Sequence, residues 1–290
     1  MNKLSIEIFE RIKSVTGHAK VGLHEPFFNS LEKENLSDCI DSSYVSSVGE
    51  YVNIFEKMIE DFTKSKKAIA LVNGTSALHL ALKVSGIKPN EEIICPSLTF
   101  VATANAISYV DAKPHFVDIN EQTLGIDPLA LEEWLDKIII KKKGKSINKN
   151  TGRIVSAIIP MHTFGHPLEI NSIVKIAEKY NLIVIEDAAE SLGSLYEGKH
   201  TGTFGKIGVL SFNGNKIVTT GGGGALITND LEVASLAKHL SRTAKVEHKW
   251  KLIHNQIGFN YRMPNLNASI GCAQMKKLPS FIQSKRNLFL

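Results

Sequence analysis

Ala68-Ile-Ala-Leu-Val-Asn-Gly-Thr-Ser-Ala-Leu-His79 is the stretch whose reading decides the fold. It opens on an unbroken apolar run of strand length, the pattern of a strand buried on both faces. Asn73-Gly74 breaks that run, and Thr75-Ser76 opens a helical pattern in which Leu78, Ala81, Leu82 and Val84 share one face. Just upstream, Ile54, Phe55, Met58, Ile59 and Phe62 recur at three- and four-residue steps, an amphipathic helix that ends before Lys64. The same alternation continues along the chain. Strands are expected over 92–95, 115–118, 154–160, 182–186, 207–212 and 224–228, and helices over 102–109, 128–141 and 170–180. This order predicts an α/β fold with a mostly parallel sheet covered by helices on both faces.

The composition sets limits on function. With 290 residues, 43% of them hydrophobic, the chain can bury one large core, which excludes a disordered protein. Its longest apolar runs, over 154–161 and 182–185, fall far short of the ~20 residues of a membrane helix, so no span is expected. Residues 1–15 mix charged and apolar residues at helical spacing and lack the features of a signal peptide. Cys39, Cys95 and Cys272 are few, odd in number and widely spaced. They show neither a disulfide framework nor a zinc spacing, which suits structural thiols in a reducing cytoplasm. The net charge of +5 is concentrated around Lys141-Lys-Lys-Gly-Lys145, which reads as a solvated loop. No aromatic residue interleaves with those lysines, so nucleic-acid binding is not expected. Gly221 to Gly224 precede a strand and do not open a helix, which makes them a tight turn and not a dinucleotide loop.

Two residues suggest chemistry. Asp187 ends a run of apolar residues and Glu186, at the carboxyl end of a buried strand, where open α/β sheets place their ligands. Lys216 closes Ser211-Phe-Asn-Gly-Asn-Lys216 at the end of another strand. An amine paired with a carboxylate is what pyridoxal 5'-phosphate (PLP) chemistry requires. The lysine attacks an aldehyde only as the neutral amine, which calls for a dry pocket beside other positive charge. The carboxylate keeps the ring nitrogen protonated. Taken singly, each residue has a plainer reading: Gly74-Thr75-Ser76 as a capped turn, Asp187 as a helix cap, Lys216 as a surface lysine, His162 as a hydrogen-bonded core residue and Arg262 as a surface ion pair.

Asn73-Gly-Thr-Ser-Ala-Leu-His79, Pro96-Ser-Leu-Thr-Phe-Val-Ala102, His162-Thr-Phe-Gly165, Glu186-Asp-Ala-Ala-Glu190, Ser211 to Lys216 and Gly258-Phe-Asn-Tyr-Arg262 occur in order along nearly the whole chain. In this set the chain resembles the DegT/DnrJ/EryC1/StrS family of PLP-dependent sugar aminotransferases. With His24-Glu-Pro26 and Ser46-Ser-Val-Gly-Glu50, it looks most like the subgroup that aminates UDP-4-keto-6-deoxy sugars toward bacillosamine or legionaminic acid. The resemblance implies the large domain of a fold type I, aspartate aminotransferase-like transferase over 26–272. It places an N-terminal extension over 1–25 and, over 273–290, the start of a C-terminal small domain that is largely missing. It assigns the phosphate to the amides of Thr75 and Ser76 and the hydroxyl of Ser211, the ring stack to Phe100 and the ring nitrogen to Asp187. Glu190 falls near the phenolic oxygen, either protonated or aimed at the incoming amine, and Lys216 is the catalytic amine. Asn260 and Arg262 are implied to reach the phosphate and substrate of a neighbouring subunit, with His162 and Asn213 at the substrate. The implied reaction moves an amino group from an amino acid, glutamate, to C4 of a nucleotide-linked 4-keto-6-deoxy sugar in a homodimer with shared active sites. Two rivals stay open: a PLP-dependent sugar dehydratase, whose relatives lack the lysine, and a truncated non-catalytic PLP-binding paralogue.

Overall fold

The computed structural model describes residues 2–17, 20 and 22–289. Before the sheet come α1 (Lys3–Thr16), α2 (Ser30–Asp41) and α3 (Glu50–Thr63). Then follow β1 (Lys67–Leu71), α4 (Gly74–Val84), β2 (Glu92–Pro96), α5 (Val101–Tyr109), β3 (Lys113–Val117) and α6 (Pro128–Ile138). The middle of the chain gives β4 (Ile139–Lys142), β5 (Lys145–Asn148), β6 (Ile154–Ile158), α7 (Ile170–Tyr180) and β7 (Ile183–Asp187). After them come the short pair β8 (Leu195–Tyr196) and β9 (Lys199–His200), then β10 (Ile207–Ser211), β11 (Gly224–Thr228) and α8 (Leu231–Ser241). A second short pair, β12 (Lys245–Val246) and β13 (Ile253–His254), precedes the last helix, α9 (Asn265–Phe289).

Nine strands make one sheet in the order β1-β11-β10-β7-β6-β2-β3, with β5 joining at β6 and β4 pairing with β5. The pairs β10/β7, β7/β6, β6/β2 and β2/β3 are parallel. β11 runs antiparallel to both β10 and β1, so β1 points the same way as the parallel set. The carboxyl ends of β1, β2, β6, β7 and β10 therefore lie along one edge of the sheet. Successive side chains of a strand face opposite ways. Ile69 and Leu71 accordingly pack with Leu78, Ile107 and Val233 of α4, α5 and α8. Ala68 and Ala70 pack on the other face with Phe55 and Ile59 of α3 and Met275 of α9. Helices α6 and α7 cover the rest of that face through Leu131, Leu135, Ile173 and Ile176. Gly271 allows α3 and α9 to approach closely, since a Cβ there would come within 2.6 Å of the Phe55 ring.

β1 is an edge strand whose outward N–H groups would template aggregation if left bare. Carboxylates of α3 cover them: Ala68 N–H donates to Glu60 Oε1 at 3.2 Å and Ala70 N–H to Glu56 Oε1 at 2.9 Å.

Two local expectations change, and the last helix runs past an expected domain boundary. The helix expected over 128–141 stops at Ile138, because Ile138-Ile139-Ile140 is β-branched and leaves the helix for strand β4. The lysine-rich segment is a hairpin and not a loop: Lys143 and Gly144 both have positive φ, the two-residue turn that joins twisted strands. Lys141 to Lys145 stay exposed as expected, while Ser146 and Asn148 are buried beneath them. Finally, α9 continues through Pro279 and across the boundary drawn at residue 272. Cys272, Met275 and Leu278 lie in one cluster with Phe55 and Phe212, so the helix packs on the sheet on both sides of that boundary. α1 has no buried residue.

Candidate active site

The strand-to-helix turn forms an anion cradle. Asn73 caps α4, its Oδ1 accepting the Ser76 N–H at 2.7 Å. The Ser76 amide expected on the phosphate is thus already engaged, because a capping side chain satisfies an orphan donor locally. Among the described residues, the amides of Gly74 and Thr75 have no protein acceptor, and they sit at the positive end of α4. Ser211, at the end of β10, closes the cradle: a Cβ on Gly74 would stand 3.2 Å from Ser211 Cβ and 3.4 Å from its Oγ. Replacing Gly74 by alanine should therefore push the hydroxyl away while leaving the fold within ~1 kcal/mol, since alanine favours the helix by about that much. We expect PLP affinity to fall by about tenfold or more in an absorbance titration, with the urea midpoint nearly unchanged. Unaltered affinity would remove Gly74 and Ser211 from the phosphate site.

Asp187 ends β7 with only 3% of its surface exposed. Its Oδ2 accepts the Thr103 hydroxyl at 2.7 Å and its Oδ1 the Ala189 N–H at 3.2 Å. Burial pushes the carboxyl above the usual carboxylate range. The bonds from Thr103 and Ala189, and then the fields of His162 and Lys216, oppose that rise. Among the described residues no cation lies within 4.0 Å of it. A buried acid without a counter-charge suits a protonated ring nitrogen, and the cradle beside it suits a phosphate, so the residues present fit PLP. Thr103 was not anticipated. No local pattern marked it: Thr99, in the bend before α5, donates to it at 2.9 Å, and both are joined to Asp187 only by the fold.

Lys216 lies in the turn after β10, where its N–H donates to Asn213 O. Its side chain is 17% exposed, and Nζ stands 2.7 Å from Glu190 Oε1. The charge found on the lysine nitrogen is thus a carboxylate, while the bases His24, Lys285 and Arg286 line the cleft beside it. Glu190 is therefore found on the lysine nitrogen. Both line a cleft of about 610 Å³ that extends to His24, Phe27, Lys285 and Arg286. Phe100 is the N-cap residue of α5 and is 69% exposed.

Two of the expected residues are buried within their own chain, and two are exposed. His162 was expected at the substrate but is fully buried: Nε2 pairs with Glu186 Oε2 at 3.1 Å and Nδ1 accepts the Leu168 N–H. Glu186 also accepts the N–H groups of Gly202, Phe204 and Gly205, so it ties the loop before β10 to β7. Arg262 was expected to reach a neighbouring subunit, yet it is buried in its own chain against Glu56 Oε1 at 2.5 Å, with Ala70 O at 3.2 Å. Edge strand β1 offers that pair a ready site, because Leu71 and Arg262 form a bridge. Asn213 is exposed and spends its amide on Asn215 Oδ1. Asn260 is exposed beside Arg242, to which its backbone is bridged. The three cysteines are free and buried, and burial pushes the Cys95 and Cys272 thiols up to about 12, which keeps them protonated.

Comparison with known proteins agrees with this arrangement. The family model of the DegT/DnrJ/EryC1/StrS aminotransferase family matches residues 28–290. The chain is 39% identical over 268 residues to GDP-perosamine synthase of Escherichia coli O157:H7, covering 92% of this chain and 69% of that protein. It is 37% identical over 269 residues to GDP-perosamine synthase of Caulobacter vibrioides, covering 93% and 68%. The crystal structure of an aminotransferase from Psychrobacter cryohalolentis superposes with a TM-score of 0.79 at 31% identity, covering 88% of this chain and 64% of that one. The chain thus spans about two thirds of the length of the proteins it matches. Since the match runs through every strand of the sheet and the turns that carry the cradle, this protein belongs to the DegT/DnrJ/EryC1/StrS family of PLP-dependent aminotransferases.

Proposed function

We propose that this chain carries the large domain of an aminotransferase that moves an amino group from an amino acid, glutamate, to C4 of a nucleotide-linked 4-keto-6-deoxy sugar. The observation that carries the reading is Lys216 Nζ in the cleft together with a buried Asp187 carboxylate that has no cation within ion-pair reach. When bound, PLP supplies an electron sink conjugated to the carbon–nitrogen bond being made or broken. The amides of Gly74 and Thr75 and the Ser211 hydroxyl would hold its phosphate. Asp187 would keep a proton on its ring nitrogen, with Thr103 holding that carboxylate in place. The Phe100 ring would cover one face and exclude water. Lys216 would be the amine that holds the group and the base that moves a proton at the substrate carbon, a general-base task. Retention of Lys216 supports transfer over dehydration.

The cleft of about 610 Å³ beside Lys216 and Glu190 falls within the range of small-molecule sites, while the cradle, Phe100 and Asp187 lie outside its lining. The sugar is read from the GDP-perosamine synthases among the relatives and from the UDP-sugar subgroup that the motifs resemble, so the nucleotide is the open choice. A cytoplasmic homodimer with shared active sites completes the proposal. Its support is the exposed apolar set Trp250, Leu252 and Ile257 around the segment that ends at Asn260, while Arg262 is withdrawn from that role. No helix among the described residues is long and apolar enough to cross a membrane.

Incubating the purified chain with PLP, glutamate and UDP-, GDP- or dTDP-linked 4-keto-6-deoxy sugars tests the reading. We expect one nucleotide series to yield amino sugar by mass spectrometry. A cofactor-loaded protein that aminates none of them with any amino acid would refute it.

A further inference from the structure

The 2.7 Å contact between Lys216 Nζ and Glu190 Oε1 is a reacting atom held by a partly exposed acid. We propose that Glu190 is a second catalytic residue, the proton relay through which Lys216 exchanges its covalent bond to an aldehyde. This rests on the reading of Lys216 as the attacking amine and adds a role for the residue beside it.

The contacts select Glu190 over the other acids of the site. Asp187 is buried, holds the Thr103 hydroxyl and the Ala189 N–H, and makes no ion pair with Lys216. Glu25, which lines the same cleft, accepts the Gly22 N–H at 3.1 Å. Among the described residues, Glu190 is the one carboxylate within 4.0 Å of Lys216 Nζ. Its side chain is 36% exposed, so it can trade protons with water, whereas the lysine, at 17%, is more enclosed. The other titratable residues lining the cleft are His24, Lys285 and Arg286, and all three are bases.

The step balances as follows. Glu190 removes one proton from the Lys216 ammonium, and the freed nitrogen pair forms a bond to the aldehyde carbon. The π pair of the carbonyl moves to oxygen. That oxygen leaves as water after receiving the proton held by Glu190 and a second one from the nitrogen, and the third proton and the positive charge remain on nitrogen. Release of the lysine runs the same transfers backwards. A positioned base of this kind contributes about 10²-fold or more.

The test follows covalent capture by cofactor-free protein. Mixing wild type, Glu190→Gln and Glu190→Asp with PLP in a stopped-flow absorbance experiment should show capture by Glu190→Gln slowed about 10²-fold. We expect Glu190→Asp to recover most of the rate, and the final PLP content and melting temperature of all three to agree. Capture should also slow in heavy water for wild type and lose that sensitivity in Glu190→Gln. A second arm uses salicylaldehyde, an aldehyde without phosphate or ring nitrogen, with borohydride trapping and peptide mass spectrometry at Lys216. If wild type fails to capture PLP, the functional reading falls, and the salicylaldehyde arm alone then decides the relay. Equal or faster capture of the aldehyde by Glu190→Gln overturns the relay, whichever aldehyde is used.

Discussion

Lys216→Ala should lower amino transfer by about 10⁴-fold or more, the upper range for removing a positioned base, with a covalent attachment point lost as well. The fold should survive, because the carboxylate left behind, Glu190, is 36% exposed and can be solvated by water. PLP should still bind, held by the cradle at Gly74, Thr75 and Ser211 and by Asp187, but without the absorbance of a covalently attached cofactor. Comparing turnover, bound PLP and the absorption spectrum of the variant with wild type checks each part. Product formation at the native rate would end the assignment of Lys216. A protein whose wild type binds PLP and shows no turnover would instead support the non-catalytic paralogue.

Arg262→Ala should be the most destabilising single truncation in the set, at about 3–5 kcal/mol in urea unfolding, the range for removing one partner of a buried ion pair. The side chains of Arg262 and Glu56 are 5% and 7% exposed, so the acid would be left without water around it. Lys238 Nζ, at 3.5 Å from Glu56 Oε2 and half in solvent, offers only partial compensation. Glu56 also accepts the Ala70 N–H, so the damage would reach edge strand β1 and the turn that follows it. A Glu56→Gln/Arg262→Met double variant should recover most of the loss, because glutamine keeps an acceptor for Ala70 and no charge remains buried. If Arg262→Ala unfolds at the native urea concentration, Arg262 is not a structural residue and the expectation that it reaches a neighbouring subunit regains its standing.

The order of strands and helices was legible because its signals are local. Apolar runs of strand length, the Asn73-Gly74 break and the one-sided patterns of α3, α4 and α7 each depend on a few neighbouring residues. Asp187 ends such a run, whereas Lys216 lies in the turn beyond one and stood out through the Ser211 to Lys216 motif that it closes. The hairpin at 139–148 was not, because a lysine-rich segment reads as solvated whether or not its backbone pairs with β6. His162 and Arg262 show the limit most clearly. Their motif positions are plain, yet whether an imidazole or a guanidinium faces a cleft or a buried carboxylate depends on Glu186 and Glu56, which lie far away in sequence.

The sequence by itself therefore determined the α/β layering and the cofactor class, and it singled out the two residues proposed to carry the chemistry. Tertiary structure decided the partners: Thr103 beneath Asp187, Glu190 on Lys216, Asn73 on the Ser76 amide and Glu56 on Arg262. The reason is range. Periodicity and turn chemistry act within a few residues, whereas a buried charge or donor must find its complement wherever the folded chain brings one within about 3 Å.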